Sequence, residues 1–147
     1  MAAIRQADAI WAGPLATGSG TVSASTSGAF SDLAVSWASR TEAADGRTSP
    51  EELLAAAHSA CFAMALSGAL ARAGTPPERL DVNAAVTFDK LEAGWRVASS
   101  ALTVVGVVPG MSAEDFKAAA EATRDGCPIS KAIIGNVALS VEATLAG

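Results

Sequence analysis

Hydrophobic and polar residues alternate along several stretches of the chain, as they do in strands that bury one face. The clearest alternation runs from Leu80 to Phe88. A turn near Gly94 joins it to a longer apolar run, which is typical of the second strand of a hairpin. The predicted strands span residues 7–11, 18–26, 33–40, 80–88, 95–108 and 137–145.

The clearest helix start in the chain follows a polar loop that ends near residue 48. Ser49 is suited to the N-cap, Pro50 to the first helical position and Glu52 to the third, as in a capping box. The apolar pattern continues to about Arg72 and stops at Gly74. The sequence therefore predicts one long helix between these points.

A second helix is predicted after the hairpin. Ser112 serves as its N-cap, the helix runs to about Arg124, and Gly126 closes it. The next two residues, Cys127 and Pro128, open a further short helical turn before the last strand.

The order of these elements is three strands, a helix, two strands, a helix and a strand, with connections of hairpin length. This order predicts an α+β fold with antiparallel β-sheets, a long buried central helix and a second helix, in a single domain over residues 1–147. A doubly wound parallel sheet is not favoured, because neither a GxGxxG motif nor a P-loop is present.

The long helix is apolar on nearly every side, which a helix covering a single sheet face does not require. Two stripes run along it, Ala57, Cys61, Met64 and Gly68 on one side and Phe62, Leu66 and Leu70 on another. Two buried faces favour packing on the chain's own sheet and on a second copy of the chain, and a large monomeric core that uses both faces is the alternative. A membrane span is the weaker interpretation, because alanines and polar residues interrupt the apolar run.

Composition narrows the range of partners. The chain has 147 residues, of which 50% are hydrophobic and 17% charged, and its formal net charge is −5. Because Lys and Arg form no cluster and Tyr is absent, neither nucleic acid nor a membrane surface is expected as a partner. Two cysteines are too few for a secreted disulfide framework, and the N-terminus lacks an apolar signal segment. We therefore expect a cytoplasmic protein with reduced thiols.

The two cysteines are the first candidates for chemistry, although most free cysteines only pack as small hydrophobic residues. Cys127 lies between the end of one helix and the start of the next, where backbone N–H groups favour a thiolate. Cys61 lies in the middle of the long helix, where burial favours the neutral thiol. Local environment alone therefore favours Cys127 as the nucleophile.

Arg40, Glu51 and His58 are the remaining candidates. Arg40 is predicted at the end of a strand, where reaching solvent is the simpler interpretation. Glu52 has a role as the partner of the helix cap, whereas Glu51 has none and is freer for chemistry. His58 is expected at the edge of the core. A zinc site is not favoured because no second His or third Cys is present, and a serine hydrolase is not favoured because GxSxG is absent.

Two separated motifs carry a family resemblance. TSPEELLAAAHSACFAMALS at 48–67 and GCPISKAIIGNVALSVEATL at 126–145 closely resemble the osmotically inducible protein C (OsmC) family of thiol peroxidases. The GTVS at 20–23 and the Pro-Gly turn at 109–110 fall in the expected order, so that the resemblance covers essentially the whole chain. It is greater to the OsmC branch than to the organic hydroperoxide resistance (Ohr) branch.

The resemblance implies peroxide reduction by two cysteines in oxidative or osmotic stress defence. Cys61 matches the peroxidatic position, which becomes a sulfenic acid, and Cys127 matches the resolving position, which closes a disulfide. Arg40 and Glu51 match the Arg and Glu that hold each other and the thiolate. The family is an intertwined homodimer without metal or other cofactor. Its substrates are organic hydroperoxides and hydrogen peroxide, and external dithiols, lipoyl-type in part of the family, reduce it.

The spacing of Glu51 and Cys61 adds a constraint to that implied site. Ten residues separate them on one predicted helix, so that they lie about 15 Å apart along its axis. Glu51 is therefore expected to serve the site built around the partner's Cys61, with the two long helices crossing at a two-fold axis.

Three alternatives remain open from the sequence. The first is a dimer that binds a small apolar ligand with inert cysteines, the second is a structural module, and the third is a hydrolase or thiol-transfer enzyme that uses one thiol. Phe62, Met64 and Leu66 are candidates for an apolar pocket that would favour organic hydroperoxides.

Overall fold

The computed structural model describes all residues from Met1 to Gly147 and divides the chain into two compact units. The first unit is Met1–Leu53 and the second is Leu54–Gly147. One long helix begins in the first unit and continues in the second.

The first unit contains a three-stranded antiparallel sheet, as the alternating pattern predicts. Its strands are β1 (Asp8–Ala12), β2 (Ser19–Ser23) and β3 (Leu33–Val35), in the order β1-β2-β3. All three are shorter than or offset from their predicted spans. Every residue of β1 is exposed in the single chain.

The prediction of a strand through residues 33–40 is wrong beyond Val35. A short helix, α1 (Trp37–Thr41), replaces it. Ser36 caps this helix by accepting a hydrogen bond from the Ser39 N–H, and the Ser39 side chain accepts one from the Ser36 N–H. This reciprocal capping overrides the strand pattern. Arg40 therefore lies in the last turn of a helix and not at the end of a strand.

The long helix α2 (Pro50–Arg72) begins and ends where the sequence predicts. The Ser49 hydroxyl accepts a hydrogen bond from the Glu52 N–H at 3.1 Å, which confirms Ser49 as N-cap. The Glu52 carboxylate accepts a hydrogen bond from the Thr48 hydroxyl at 2.7 Å. It does not return a bond to the Ser49 N–H, as a full capping box would require.

The second unit contains the strands β4 (Arg79–Leu91), β5 (Gly94–Val107) and β6 (Ala138–Leu145), in that order across one sheet. β4 and β5 form the predicted antiparallel hairpin. The expectation of antiparallel pairing throughout is wrong for β6, which pairs parallel to β5. The connection passes through α3 (Ala113–Gly126) and α4 (Pro128–Ile133), and a helical crossover of this length returns the chain for parallel pairing.

The hydrophobic core lies in the second unit, between one side of α2, the sheet and α3. Its largest buried side chains are Phe62, Leu66 and Leu70 of α2, Leu102 and Val104 of β5, and Phe116 of α3. All buried hydrophobic residues of the chain belong to this unit.

Burial of α2 is confined to one side in the single chain. His58, Phe62, Leu66 and Leu70 recur every four residues and are buried, whereas Met64 on another side is 71% exposed. By length and composition α2 is also apolar enough to cross a membrane, a test that the core helices of soluble proteins pass as well. The predicted second apolar face therefore exists and is uncovered in one chain.

Candidate active site

The structure brings the two thiols together from distant parts of the sequence. Cys61 lies on α2 and is partly exposed, and Cys127 lies between α3 and α4 and is buried. Both are free thiols, and they are close enough for Cys127 to raise the pKa of Cys61. The Ile129 N–H of α4 also points at Cys61 Sγ, at 3.5 Å. The two thiols are therefore neighbours in the folded chain, which a disulfide between them would require.

The position of Cys127 agrees with the sequence-based expectation. Cys127 is the N-cap of α4 and has an extended backbone. Its sulfur accepts a hydrogen bond from the Ser130 N–H at 3.3 Å, and its thiol donates to Ser130 Oγ at 3.1 Å. The side chain is therefore held in one orientation by a single residue of α4.

The surroundings of Cys61 in one chain favour the thiol over the thiolate. Burial raises the pKa of Cys61 most, and the adjacent Cys127 raises it further. The hydrogen bond from the Ile129 N–H lowers the pKa of Cys61 but does not offset these effects. A cation close to the sulfur would lower it, because an opposite charge favours the ionised form.

Arg40 and Glu51 form an ion pair in the first unit. Arg40 Nε lies 3.0 Å and Nη2 2.8 Å from Glu51 Oε1, and Nε lies 3.1 Å from Oε2. Glu51 is buried, and the guanidinium carbon lies 5.8 Å from the centre of the Trp37 ring. The carboxylate and the ring fix the guanidinium as a rigid positive group.

An apolar cavity of about 190 Å³ adjoins this ion pair within the first unit. It is lined by Trp11, Leu15, Val35, Ser36, Trp37, Arg40 and Pro50. An anionic or strongly polar head with an apolar tail fits such a cavity, because one cation lies among aromatic and aliphatic side chains.

His58 is fully buried, which corrects its predicted place at the edge of the core. Its Nδ1 lies 2.7 Å from Ser100 Oγ on β5, and its Nε2 lies 2.8 Å from Ser130 Oγ on α4. Burial lowers the pKa of His58, so that the imidazole is neutral at pH 7. Sequence reasoning missed both serines, because no local pattern connects residues so far apart in the chain.

The predicted apolar pocket of Phe62, Met64 and Leu66 does not form. Phe62 and Leu66 are in the core, whereas Met64 points away from it and is exposed. A different cavity, of about 260 Å³, reaches Cys127 between α2 and α3. It is lined by Ala65, Ala69, Arg72, Ala119, Ala122, Thr123, Gly126 and Cys127.

The fold and the paired thiols together define an α+β dithiol protein. The family model for OsmC-like protein matches residues 43–142, and the chain belongs to the OsmC family. It is 37% identical over 138 residues to Peroxiredoxin OsmC of Escherichia coli strain K12, which covers 94% of this chain and 95% of the relative.

Two further relatives come from the sister branch. The chain is 32% identical over 113 residues to the organic hydroperoxide resistance protein OhrA of Bacillus subtilis, covering 76% of this chain and 77% of that protein. An organic hydroperoxide resistance protein from Elizabethkingia anophelis superposes with a TM-score of 0.77 at 25% identity, over 99% of this chain and 100% of that one. The higher identity and coverage with Peroxiredoxin OsmC agree with the predicted OsmC branch.

Proposed function

We propose that this protein is a cysteine-based peroxidase that reduces organic hydroperoxides, and also hydrogen peroxide, in the cytoplasm during oxidative or osmotic stress. The adjacency of Cys61 and Cys127 carries the proposal. Two neighbouring free thiols can supply the two electrons that reduce a peroxide and end as one disulfide. The names of the curated relatives, a peroxiredoxin and a hydroperoxide resistance protein, support a peroxide-related redox role.

The proposed cycle has three steps. The Cys61 thiolate attacks the terminal peroxide oxygen, the O–O bond breaks, and the alkoxide leaves as an alcohol after taking a proton, while Cys61 becomes a sulfenic acid. The Cys127 sulfur attacks that sulfenic sulfur, and a disulfide forms with release of water. An external dithiol, of lipoyl type, then reduces the disulfide and restores both thiols.

Activation of Cys61 requires a cation, for which the partner's Arg40 is our candidate. Glu51 holds the Arg40 guanidinium, and Glu51 and Cys61 are separated by about 15 Å of helical rise on α2. We therefore assign the Arg40–Glu51 pair of each chain to the Cys61 of the other chain. The guanidinium lowers the pKa of the Cys61 thiol there by stabilising the thiolate.

The surfaces left uncovered in one chain support a homodimer. Met64 on α2, Ile10 on β1 and Leu15 after it are exposed to 71%, 70% and 59%. The sheet of the first unit has no buried hydrophobic residue of its own. Extended apolar surface is commonly covered by another surface, and a second copy is the simplest cover.

The apolar lining beside Arg40 supports organic hydroperoxides as the preferred substrates. The peroxide group would meet the guanidinium, while an alkyl or aryl tail would contact side chains such as Trp11, Leu15 and Trp37. Hydrogen peroxide gains nothing from those contacts, so we expect it to react more slowly.

A thiol titration tests the proposed function. The reduced protein should lose both thiols within seconds of adding one equivalent of cumene hydroperoxide, and peptide mass spectrometry should locate a Cys61–Cys127 disulfide. Cys127→Ser should stop at the Cys61 sulfenic acid, which dimedone traps. Two thiols that survive an excess of peroxide would refute the peroxidase and favour a ligand-binding dimer with inert cysteines.

A further inference from the structure

A continuous chain of buried hydrogen bonds leads away from the resolving thiol. The Cys127 thiol contacts Ser130 Oγ at 3.1 Å, Ser130 Oγ contacts His58 Nε2 at 2.8 Å, and His58 Nδ1 contacts Ser100 Oγ at 2.7 Å. Cys127, Ser130, His58 and Ser100 are each at most 1% exposed. The peroxidase cycle proposed above leaves His58 and both serines without a role.

We infer that Ser130 and His58 form a proton relay that activates Cys127 for attack on the Cys61 sulfenic acid. This inference rests on the proposed two-cysteine cycle and assigns positioning residues to its second step. The Cys127 thiol is almost completely buried and already hydrogen-bonded to Ser130 Oγ, so that an internal acceptor can take its proton directly while the disulfide forms.

The directions of the hydrogen bonds follow from the first one. When the Cys127 thiol donates to Ser130 Oγ, the only hydroxyl proton of Ser130 is free to go to His58 Nε2. Nε2 is then the accepting nitrogen of a neutral imidazole, and Nδ1 carries the proton that is donated to Ser100 Oγ. Ser100 therefore fixes the tautomer that the relay needs.

Proton transfer along this chain balances the resolving step. The thiol proton moves to Ser130 Oγ as the Ser130 proton moves to His58 Nε2, which leaves a Cys127 thiolate and an imidazolium. The thiolate sulfur is oxidised as it bonds to the sulfenic sulfur of Cys61, which is reduced and loses hydroxide. The imidazolium proton returns through Ser130 to that hydroxide, and water is the product.

The surroundings of His58 suit a transient proton acceptor. Its two hydrogen-bond partners are neutral hydroxyls on β5 and α4, and the Cys127 thiol lies beyond Ser130 in the same chain of hydrogen bonds. Burial alone lowers the pKa of His58, with no contribution from a carboxylate or a cation. The imidazole is therefore neutral before the step and returns its proton readily afterwards.

Ser130→Ala tests the relay through the rate of disulfide formation, followed by rapid acid quench, alkylation and mass spectrometry. At pH 7 we expect this rate to fall about 10²-fold, which is the lower range of general base effects. Formation of the Cys61 sulfenic acid, trapped with dimedone, should change less than about twofold, because the relay acts only afterwards. Ser130→Thr, which keeps the hydroxyl, should restore most of the rate, and His58→Gln should reproduce the defect.

The dependence of the defect on pH separates a relay from a packing role. Hydroxide takes the thiol proton more readily as the pH rises, so that the deficit of Ser130→Ala should shrink steadily between about pH 7 and pH 9.5. Ser59→Ala is the matched control, since the Ser59 hydroxyl lies next to His58 in sequence and bonds only the Ala56 carbonyl. A deficit of equal size at every pH, or a wild-type rate in Ser130→Ala at pH 7, would overturn the relay.

Nitrogen NMR of the reduced protein tests the relay without any peroxide. The imidazole ¹⁵N shifts of His58 should show a protonated Nδ1 and an accepting Nε2. A protonated Nε2 would refute the relay even if the wild-type protein forms its disulfide. A wild-type protein that forms no disulfide while His58 has the expected tautomer would instead locate the failure in the proposed function.

Discussion

The two units of the chain differ both in what stabilises them and in the chemistry they hold. The second unit buries a complete hydrophobic core and carries both thiols. The first unit buries Glu51 but no hydrophobic residue, and it carries the Arg40–Glu51 ion pair. A three-stranded sheet without a core is not stable alone. The proposed nucleophile is therefore in the unit that has its own hydrophobic core, whereas its candidate cation is in a unit that needs an outside surface.

The largest expected effect belongs to the second unit. Cys61→Ser should lower peroxidase activity by at least about 10³-fold, because a serine hydroxyl cannot replace an activated nucleophile. Steady-state peroxide consumption with a dithiol measures it.

Cys127→Ser is the matched comparison for that variant. It should consume one equivalent of peroxide per Cys61. It should not turn over with a reductant that acts only on the Cys61–Cys127 disulfide, because the variant cannot form that disulfide. Equal single-turnover losses in the two variants would contradict their separate roles.

Variants of the Arg40–Glu51 ion pair test whether the first unit takes part in the chemistry. Arg40→Ala should raise the pKa of the Cys61 thiol, because the opposite charge that we propose to stabilise the thiolate is lost. Because only the thiolate reacts, oxidation at pH 7 should slow about 10- to 10³-fold. Glu51→Gln should have a smaller effect, because it releases the guanidinium without removing its charge. Stopped-flow Trp fluorescence at several pH values measures both.

A mixed dimer shows which chain supplies the cation. A Cys61→Ser homodimer should be inactive, and an Arg40→Ala homodimer should keep only the slow oxidation expected above. In a heterodimer of these two chains, one chain keeps Arg40 and the other keeps Cys61. If Arg40 serves the partner's Cys61, these two residues form one complete site, and the heterodimer should recover about half of the wild-type activity. No recovery in purified heterodimers would mean that Arg40 does not act across subunits.

The exposed side of α2 is the proposed dimer interface, and a charge placed there provides a third test. Met64→Lys places a charge on the uncovered side of α2 and should weaken the dimer about 10²-fold or more, since it removes apolar burial and adds a desolvated charge. Light scattering over a dilution series reads the dissociation constant. Leu91→Lys, at the exposed end of the β4–β5 hairpin, is the matched control and should leave the dimer intact. Equal association in both variants would show that α2 does not form the interface.

Sequence reasoning succeeded where local signals decide the structure. The cap at Ser49, the hairpin turn at Gly94 and the N-cap position of Cys127 each depend on a few adjacent residues, and each is confirmed. α1 was missed because its cap rests on Ser36 and Ser39, a serine pair that also fits a loop.

The failures have a common physical cause. Parallel pairing of β6 depends on how the α3–α4 connection returns, and the partners of His58 lie 42 and 72 residues away in the chain. No periodicity contains such information. The ion pair of Arg40 and Glu51 was found only through the family resemblance, since the residues themselves also fitted a solvent-exposed Arg.

The core of the second unit should be sensitive to added volume. At Gly106 on β5 an added methyl group would overlap the Phe116 ring and lie 3.2 Å from Leu80, so that Gly106→Ala should cost about 1–3 kcal/mol of unfolding free energy. Urea denaturation measures this loss. Gly126→Ala is the control, because open space surrounds that position and its φ is ordinary. A wild-type midpoint for Gly106→Ala would mean that the Phe116 ring moves away at no cost.

The smallest effect comes from His58 and is seen only on acidification. Burial lowers the pKa of His58, so that the unfolded chain takes up a proton near its ordinary value of about 6.5 while the folded imidazole stays neutral. The stability it contributes is therefore complete above that pH and is lost as the pH falls towards the folded-state value, by at most about 1.4 kcal/mol per pH unit.

Urea denaturation between pH 7.5 and 5.5 should show this slope in the wild type and in Ser59→Ala, and a flatter one in His58→Gln. An unchanged slope in His58→Gln would assign the acid sensitivity to other groups. Because His58 belongs to the second unit, the slope should persist when Met64→Lys disrupts the dimer. Acid would then weaken the unit that holds the core by charging the same imidazole that the proposed relay needs in its neutral form.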